Sequence, residues 1–259
     1  MNKHEGDTGL NLNLFRQLQD LGSCGLFLPQ ILLRVRPSLK QLGNVMRQLY
    51  FVGTRSMIII LTSGFFIGLV IALQGYNTLV QFGASESLGA VVALSLFREL
   101  GPVLTALLFT GRAGTSIAAE IGLMKATEQL DALELMAIDP IERIVLPRFI
   151  AAIIAVPLLT GMFNLLAVTG AYLFAVEWVN LDPGLFWGRM ISAVDLGPDY
   201  LSGVYKSIVF GVVIALVSVF QGYNAEPTGR GVAVATTQTV IVSSILILIL
   251  DFILTALLI

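Results

Sequence analysis

Residues 98–148 read RELGPVLTALLFTGRAGTSIAAEIGLMKATEQLDALELMAIDPIERIVLPR. Arg98 and Glu99 still belong to an apolar run that continues to Thr110, whereas Thr115 to Glu142 carries Glu120, Glu128, Asp131, Glu134, Asp139 and Glu142 against Lys125 alone. Polarity therefore changes along one helix, from membrane depth to water. The charged, glycine-punctuated half reads as a loop built to be gripped by another protein.

Working outward, the composition agrees with a membrane setting. The chain is 56% hydrophobic and 12% charged, with a mean hydropathy of +0.87, whereas about a quarter of the residues in soluble domains are charged. This is an integral membrane protein, and 259 residues suit one bundle of about five spans at about 20 residues each. A second soluble domain has no room. A net charge of −2 and a pI near 5.4 leave no basic footprint for nucleic acid. Cys24 and His4 are the single residues of their kinds, which excludes an internal disulfide, a His or Cys metal site and a His-based triad. The first 20 residues lack the apolar core of a secretory signal, so the N-terminus is expected to stay on the side where it was made.

Residues 1–50 read as a polar tail followed by amphipathic pieces, with Leu14, Leu18, Leu21 and Leu28, then Leu32, Val35, Leu39, Leu42 and Met46 at helical spacing among Arg34, Arg36, Lys40 and Arg47. Pro29 and Pro37 break them into pieces too short to span. They suit either the membrane surface, cations toward headgroups, or the edge of the chain's own bundle. Residues 51–259 read as one all-α domain with spans at about 56–74, 88–110, 149–176, 204–223 and 239–259. Gly64 and Gly68 form a GxxxG pair that permits close helix approach, either in a dimer or within the bundle. Between the second and third spans, Thr127 to Ile138 reads as a short amphipathic helix. Leu130, Leu133 and Met136 or Ala137 form its stripe, Glu128, Asp131 and Glu134 flank it, and Asp139-Pro140 stops it. Such a piece held between two spans is what a motor subunit can push.

Lys and Arg near the spans set the orientation. Lys3, Arg16, Arg34, Arg36, Lys40, Arg47 and Arg55 precede the first span, none falls between the first and second, and Arg112, Lys125, Arg143 and Arg148 lie between the second and third. The N-terminus and the 111–148 loop are expected in the cytoplasm, the C-terminus outside. The recurrence of Gln-Gly-Tyr-Asn at 74–77 and 221–224 is too short to establish a repeat and reads as interfacial tyrosine chemistry.

No G-x-x-x-x-G-K-[ST] occurs, so any ATP is handled by a partner. No His-based or paired-acid catalytic constellation is present either. The strong feature is charge inside spans: Arg98, Glu99, Lys206 and Asp251. Each costs about 2.5 to 3.5 kcal/mol at the bilayer centre and faces a partner or a wet cavity. Arg98 and Glu99 point about 100° apart on a helix, so pairing must cross helices, and Glu99 to Lys206 with Arg98 to Asp251 is the expected scheme. The network either fixes helix register or walls a cavity that opens outward and contacts a polar headgroup.

These residues support a family resemblance. ALLFTGRAGTSIAAEIGLMKATEQLDALELMAIDPIERIVLPR, with RELGPVL before it, LQGYN after the first span, FQGYNAEP and the LDFILTALL ending, closely resembles the MlaE/YrbE permease family, the membrane subunit of MCE-type ABC transporters. The resemblance runs from about Arg47 to Leu258. It implies a non-catalytic homodimeric permease in the bacterial inner membrane that binds two cytoplasmic ATPases through Glu128, Leu130, Asp131, Leu133, Glu134 and Met136. It also implies a periplasmic MCE-domain ring, often a small STAS-domain partner, and phospholipid as cargo between inner and outer membranes, maintaining outer-membrane asymmetry. This chain is expected to bind no cofactor, ATP and Mg being used by the ATPase. The family's charged cavity positions fall on Arg98, Glu99, Lys206 and Asp251. The alternatives are an MCE-system permease for another lipid such as a sterol, and a secondary transporter that uses the four charges without ATP.

Overall fold

The computed structural model describes residues 25, 27–29, 31, 42–195 and 197–258. From residue 42 the chain runs through α1 (Leu42–Gln81), α2 (Ser85–Ala126), α3 (Gln129–Leu135), α4 (Ile141–Trp178), α5 (Pro183–Ala193), α6 (Pro198–Tyr223) and α7 (Gly229–Leu258), and no strand occurs among the described residues. Helices α1, α2, α4, α6 and α7 are long and apolar enough to cross a membrane. The protein is an all-α integral membrane protein. A helix satisfies its own backbone polar groups, so each of these elements except α6 continues well beyond the uncharged window that marked it in the sequence.

Two boundaries differ from the expectation. Helix α1 begins at Leu42, so the division drawn after residue 50 cuts through one continuous helix. The second span extends to Ala126, which carries Arg112 and Glu120 into the helix rather than a loop. The expected tail and surface helices lie almost wholly outside the described residues. Of those that are described, Phe27 and Ile31 are buried, and the Phe27 ring lies 5.9 Å from Phe220 and 5.8 Å from Tyr223, so this turn packs on the bundle.

The main internal seam joins α1 to α4. A Cβ at Gly64 would sit 2.8 Å from the Phe163 carbonyl, and one at Gly68 would overlap the Ala167 carbonyl. Across the same seam Gly170 of α4 leaves no room for a Cβ beside the Phe65 carbonyl. Of the two roles open to the GxxxG pair, these contacts occupy it within the chain, where backbone approach substitutes for the solvent-driven association that lipid does not supply.

Helices α2 and α4 both contain wide π-helical turns, and two of these have a common cause. The turn at Leu96–Leu100 precedes Gly101-Pro102, and the turn at Ile141–Val145 precedes Leu146-Pro147. A proline in an α-helix lacks the N–H that its fourth predecessor needs and presses its ring on that carbonyl. Widening the preceding turn relieves the clash. At the first site the Gly101 N–H bonds the Leu96 carbonyl, so the Phe97 carbonyl is left facing Pro102. Gly203 of α6 packs directly against that carbonyl, which brings the start of α6 onto the turn that carries Arg98 and Glu99.

Up-and-down connectivity gives the bundle two ends. One holds α3, the start of α1, α4 and α7 and the finish of α2 and α6. The other holds α5, whose Phe186 is fully buried against Tyr172, ring centroids 5.8 Å apart. The two Gln-Gly-Tyr-Asn segments therefore lie at opposite ends of the bundle and do not meet in one site within the chain.

Candidate functional site

The four charges singled out in the sequence separate into a buried pair and an exposed pair. Lys206, on the inward face of α6, is 2% exposed. Its Nζ donates to Asp251 Oδ1 at 3.1 Å and to Thr255 Oγ1 at 2.6 Å, joining α6 to the last turns of α7. Arg98 reaches the other way. Its Nε donates to Asp199 Oδ1 at 2.7 Å, yet its side chain stays 47% exposed while that of Asp199 is 4% exposed. The expected partners, Glu99 for Lys206 and Asp251 for Arg98, are thus replaced by Asp251 and Asp199. The reason is the wide turn together with Gly203, which seats the N-terminus of α6 against Arg98.

Asp199 was missed because the sequence reading began the fourth span near residue 204. The signal was present: Pro198 suits the first turn of a helix, and an acid beside it is stabilised by the helix dipole. Asp199 Oδ2 also accepts from the Asp195 backbone N–H at 3.0 Å, so its charge is doubly held. Asp199 and Lys206 are two turns apart on α6, about 10 Å, which places both ion pairs in the α5-end half of the bundle.

Glu99 is exposed and has no hydrogen-bond or ion-pair partner among the described residues. It projects from a π turn inside a span, next to a half-exposed arginine. An uncompensated charge there costs about 2.5 to 3.5 kcal/mol in contact with lipid chains, so this wall requires water, a polar ligand or another protein surface. A π turn at the position of function is a recurrent arrangement.

At the opposite end, α3 is shorter than the expected 127–138 and is bracketed by left-handed residues, Glu128 (φ 58°) and Ala137 (φ 57°). The bonds Ile138 N–H to Leu133 O (2.9 Å) and Ala137 N–H to Glu134 O (2.9 Å) form a Schellman closure with alanine where glycine is usual. Leu130 is buried and Leu133 half-buried, so these two hold α3 to its own bundle. The apolar groups presented outward are Leu135, 89% exposed, and Met136, 61% exposed, with Ile138 beside them and Glu128, Asp131 and Glu134 around them. The stems are clamped. Arg148 of α4, 6% exposed, donates through Nε (3.3 Å) and Nη2 (3.2 Å) to Glu120 Oε2 of α2, and Lys125 Nζ donates to the Tyr223 carbonyl at 2.8 Å. An element fixed at both stems transmits a push as a rigid body.

With both ends described, the comparison with known proteins is specific. The sequence matches the family described as Permease MlaE over residues 45–257. The chain belongs to the MlaE permease family. Among MlaE-family relatives, it is 47% identical over 236 residues to the intermembrane phospholipid transport system permease protein MlaE of Haemophilus influenzae, covering 91% of this chain and 90% of that one. It is 43% identical to a probable ABC transporter permease protein of Rickettsia typhi over 86% of each chain. It is also 32% identical to the chloroplastic protein TRIGALACTOSYLDIACYLGLYCEROL 1 of Arabidopsis thaliana, over 88% of this chain and 65% of that one. MlaE-family membership makes this chain a transmembrane permease subunit, and the matched region contains both ion pairs, the free Glu99 and the whole of α3.

Proposed function

We propose that this chain is the permease of an ABC transporter that moves phospholipid between the inner and outer membranes and maintains outer-membrane asymmetry. A separate ATPase hydrolyses the ATP with its Mg. The observation that carries the reading is the exposed Glu99 beside the half-exposed Arg98 on a span: a zwitterionic or anionic headgroup meets both signs of charge there while its tails remain in apolar surroundings. The name of the Haemophilus influenzae relative supports phospholipid as the cargo.

In this reading the α3 end faces the cytoplasm, in keeping with the Lys and Arg distribution, and the C-terminus faces the periplasm. Two copies of the chain form the cavity. Each α3 docks one of two ABC ATPases through Leu135, Met136 and the acidic side chains about them. A periplasmic MCE-domain ring receives or delivers the lipid at the α5 end, and a STAS-domain protein attends the ATPase. Closure of the ATPases pushes α3, the Glu120–Arg148 and Lys125–Tyr223 clamps pass the motion into α2, α4 and α6, and the wall at Arg98 and Glu99 changes its fit to the lipid. Purification of the tagged full-length chain from its native membrane tests the assembly. Co-purifying ATPase and MCE-domain proteins with phospholipid identified by mass spectrometry support it, and a chain that purifies without an ATPase contradicts it.

A further inference from the structure

Helix α5 has 11 residues, too few to span, yet it carries exposed apolar side chains. The chain doubles back to form it. Asn180 takes the left-handed conformation (φ 54°), the Leu181 N–H bonds the Ala175 carbonyl at 3.0 Å, and Asp182 caps the new helix by accepting from the Leu185 N–H at 2.8 Å. Helix α5 therefore starts level with the last turn of α4 and runs beside the bundle instead of rising away from it.

Three flanks of α5 differ in chemistry. Phe186 and Met190 face the bundle, and a Cβ at Gly89 of α2 would sit 2.3 Å from the Phe186 carbonyl, so the two helices meet at their backbones. Trp187 and Ile191, one turn apart, form a second flank and are 40% and 72% exposed. Arg189, about 200° from Ile191 around the axis, lies on the third. The two lateral flanks reach different depths. The Trp187 ring lies 5.7 Å from that of Tyr172, which is six residues, about 9 Å, inward from Trp178 at the end of α4. Arg189 reaches outward instead, its Nη2 3.5 Å from Glu86 Oε2 at the outer tip of α2, with both side chains exposed. Tyr172 also continues a stripe along α4 that includes the exposed Leu158 and Leu165 at seven-residue spacing, so the Trp187 flank joins the apolar outside of a span.

We propose that α5 lies in the plane of the membrane at its own end of the bundle, with Trp187 and Ile191 against lipid at the boundary of glycerol and acyl chain and the Arg189–Glu86 pair in the water above. The flank selects lipid over a soluble protein because it faces inward, past the outermost turn of α4, and is continuous with a spanning surface. Tryptophan, with a large apolar face and one N–H, suits that layer, and a helix with one charged and one apolar flank buries the latter about 5 to 10 Å into it. The depth of Glu99 follows. It lies ten residues beyond Gly89 on α2, about 15 Å and half of the roughly 30 Å hydrocarbon thickness, so a cargo headgroup that meets Glu99, as the proposed function requires, has left the headgroup layer. The placement of α5 itself needs no cargo, and its failure would leave the transport function standing.

Trp178 and Trp187 are the two tryptophans of the chain, so Trp178→Phe leaves Trp187 as the sole reporter, and Trp178 is 72% exposed. The full-length variant is reconstituted in phosphatidylcholine vesicles brominated either near the glycerol end or near the methyl end of the acyl chains, and its emission is titrated separately with iodide on both sides of the membrane. Glycerol-end bromines should quench Trp187 about twofold more than methyl-end bromines, as burial at the boundary requires, with iodide the weakest quencher. Quenching by iodide without quenching by brominated lipid overturns the proposal and places α5 in water. Protection from all three quenchers overturns it in favour of a covering protein surface, and stronger quenching by the methyl-end bromines overturns the interfacial depth. Should Trp178→Phe fail to reconstitute, nitroxide labels at Ile191→Cys and at Arg189→Cys, each in a Cys24→Ser chain, carry the test. Oxygen dissolved in the bilayer should relax the label at 191 more, and a water-soluble nickel chelate the label at 189 more; equal access of the chelate to both overturns the proposal.

Discussion

Lys206→Met removes the cation from a pair that is sealed on one side and partly open on the other: Lys206 is 3% exposed and Asp251 24% exposed in their side chains. Breaking a buried ion pair from one side costs about 3 to 5 kcal/mol. Partial exposure of Asp251 pulls that toward the lower figure, and the lost bond to Thr255 adds roughly 0.6 kcal/mol, the average for hydrogen bonds between membrane helices. We expect a loss of about 3.5 kcal/mol for Lys206→Met. Asp251→Leu, which strands the more deeply buried Lys206, costs at least as much. In Lys206→Met with Asp251→Leu neither charge is stranded and apolar packing takes its place, so the double variant returns to within about 1 kcal/mol of the wild type. The assay is reversible unfolding in mixed detergent micelles, followed by helix content and read as a double-mutant cycle. Additive losses in the double variant would refute the assignment of Asp251 as the partner of Lys206, and an undisturbed single variant would refute the burial argument itself.

Other outcomes follow from single contacts. Ala137→Gly relieves a left-handed alanine in the closure of α3 and should stabilise the chain by about 0.5 to 1 kcal/mol, read in the same unfolding assay. Gly68→Val drives a side chain into the Ala167 carbonyl of α4 and should destabilise by more than about 2 kcal/mol, whereas Gly53→Ala, inside α1 with nothing within 4 Å of the added Cβ, should stabilise by up to about 1 kcal/mol. Leu135→Asp with Met136→Asp alters side chains that are 89% and 61% exposed. It should leave the melting temperature within a few degrees of wild type while abolishing co-purification of an ATPase.

The span count, the all-α architecture and the polarity change along the second span were legible because hydropathy acts locally and each spanning helix must satisfy its own backbone. That Arg98, Lys206 and Asp251 need partners on other helices was legible from cost alone. Their partners were not. Pairing depends on where α6 starts and on which carbonyl Gly203 meets, and both are fixed by a wide turn that Pro102 forces in another helix. Asp199 consequently looked like a loop residue. In the same way, the periodicity of 127–138 identified a short amphipathic helix but not which way its stripe faces: Leu130 and Leu133 anchor it inward, whereas Met136 of the same stripe and Leu135 outside it are the groups presented outward. A helix of this length, seven residues, takes its rotation from the stems that hold it, here Glu120–Arg148 and Lys125–Tyr223, and neither clamp can be read from spacing along the chain.

In the proposed mechanism Glu99 is a charge kept exposed within a span for contact with cargo. ATP-driven phospholipid transfer should therefore be measured for Glu99→Gln, with the chain reconstituted in vesicles alongside its ATPase and with the Lys206→Met, Asp251→Leu double variant as the comparison for a change in an ion pair of the same bundle half. We expect Glu99→Gln to unfold at the wild-type detergent concentration, to retain its ATPase, and to transfer phospholipid at about a tenth of the wild-type rate or less, since a one-decade loss corresponds to about 1.4 kcal/mol of lost interaction. Transfer at the wild-type rate by a stable Glu99→Gln chain would contradict the account.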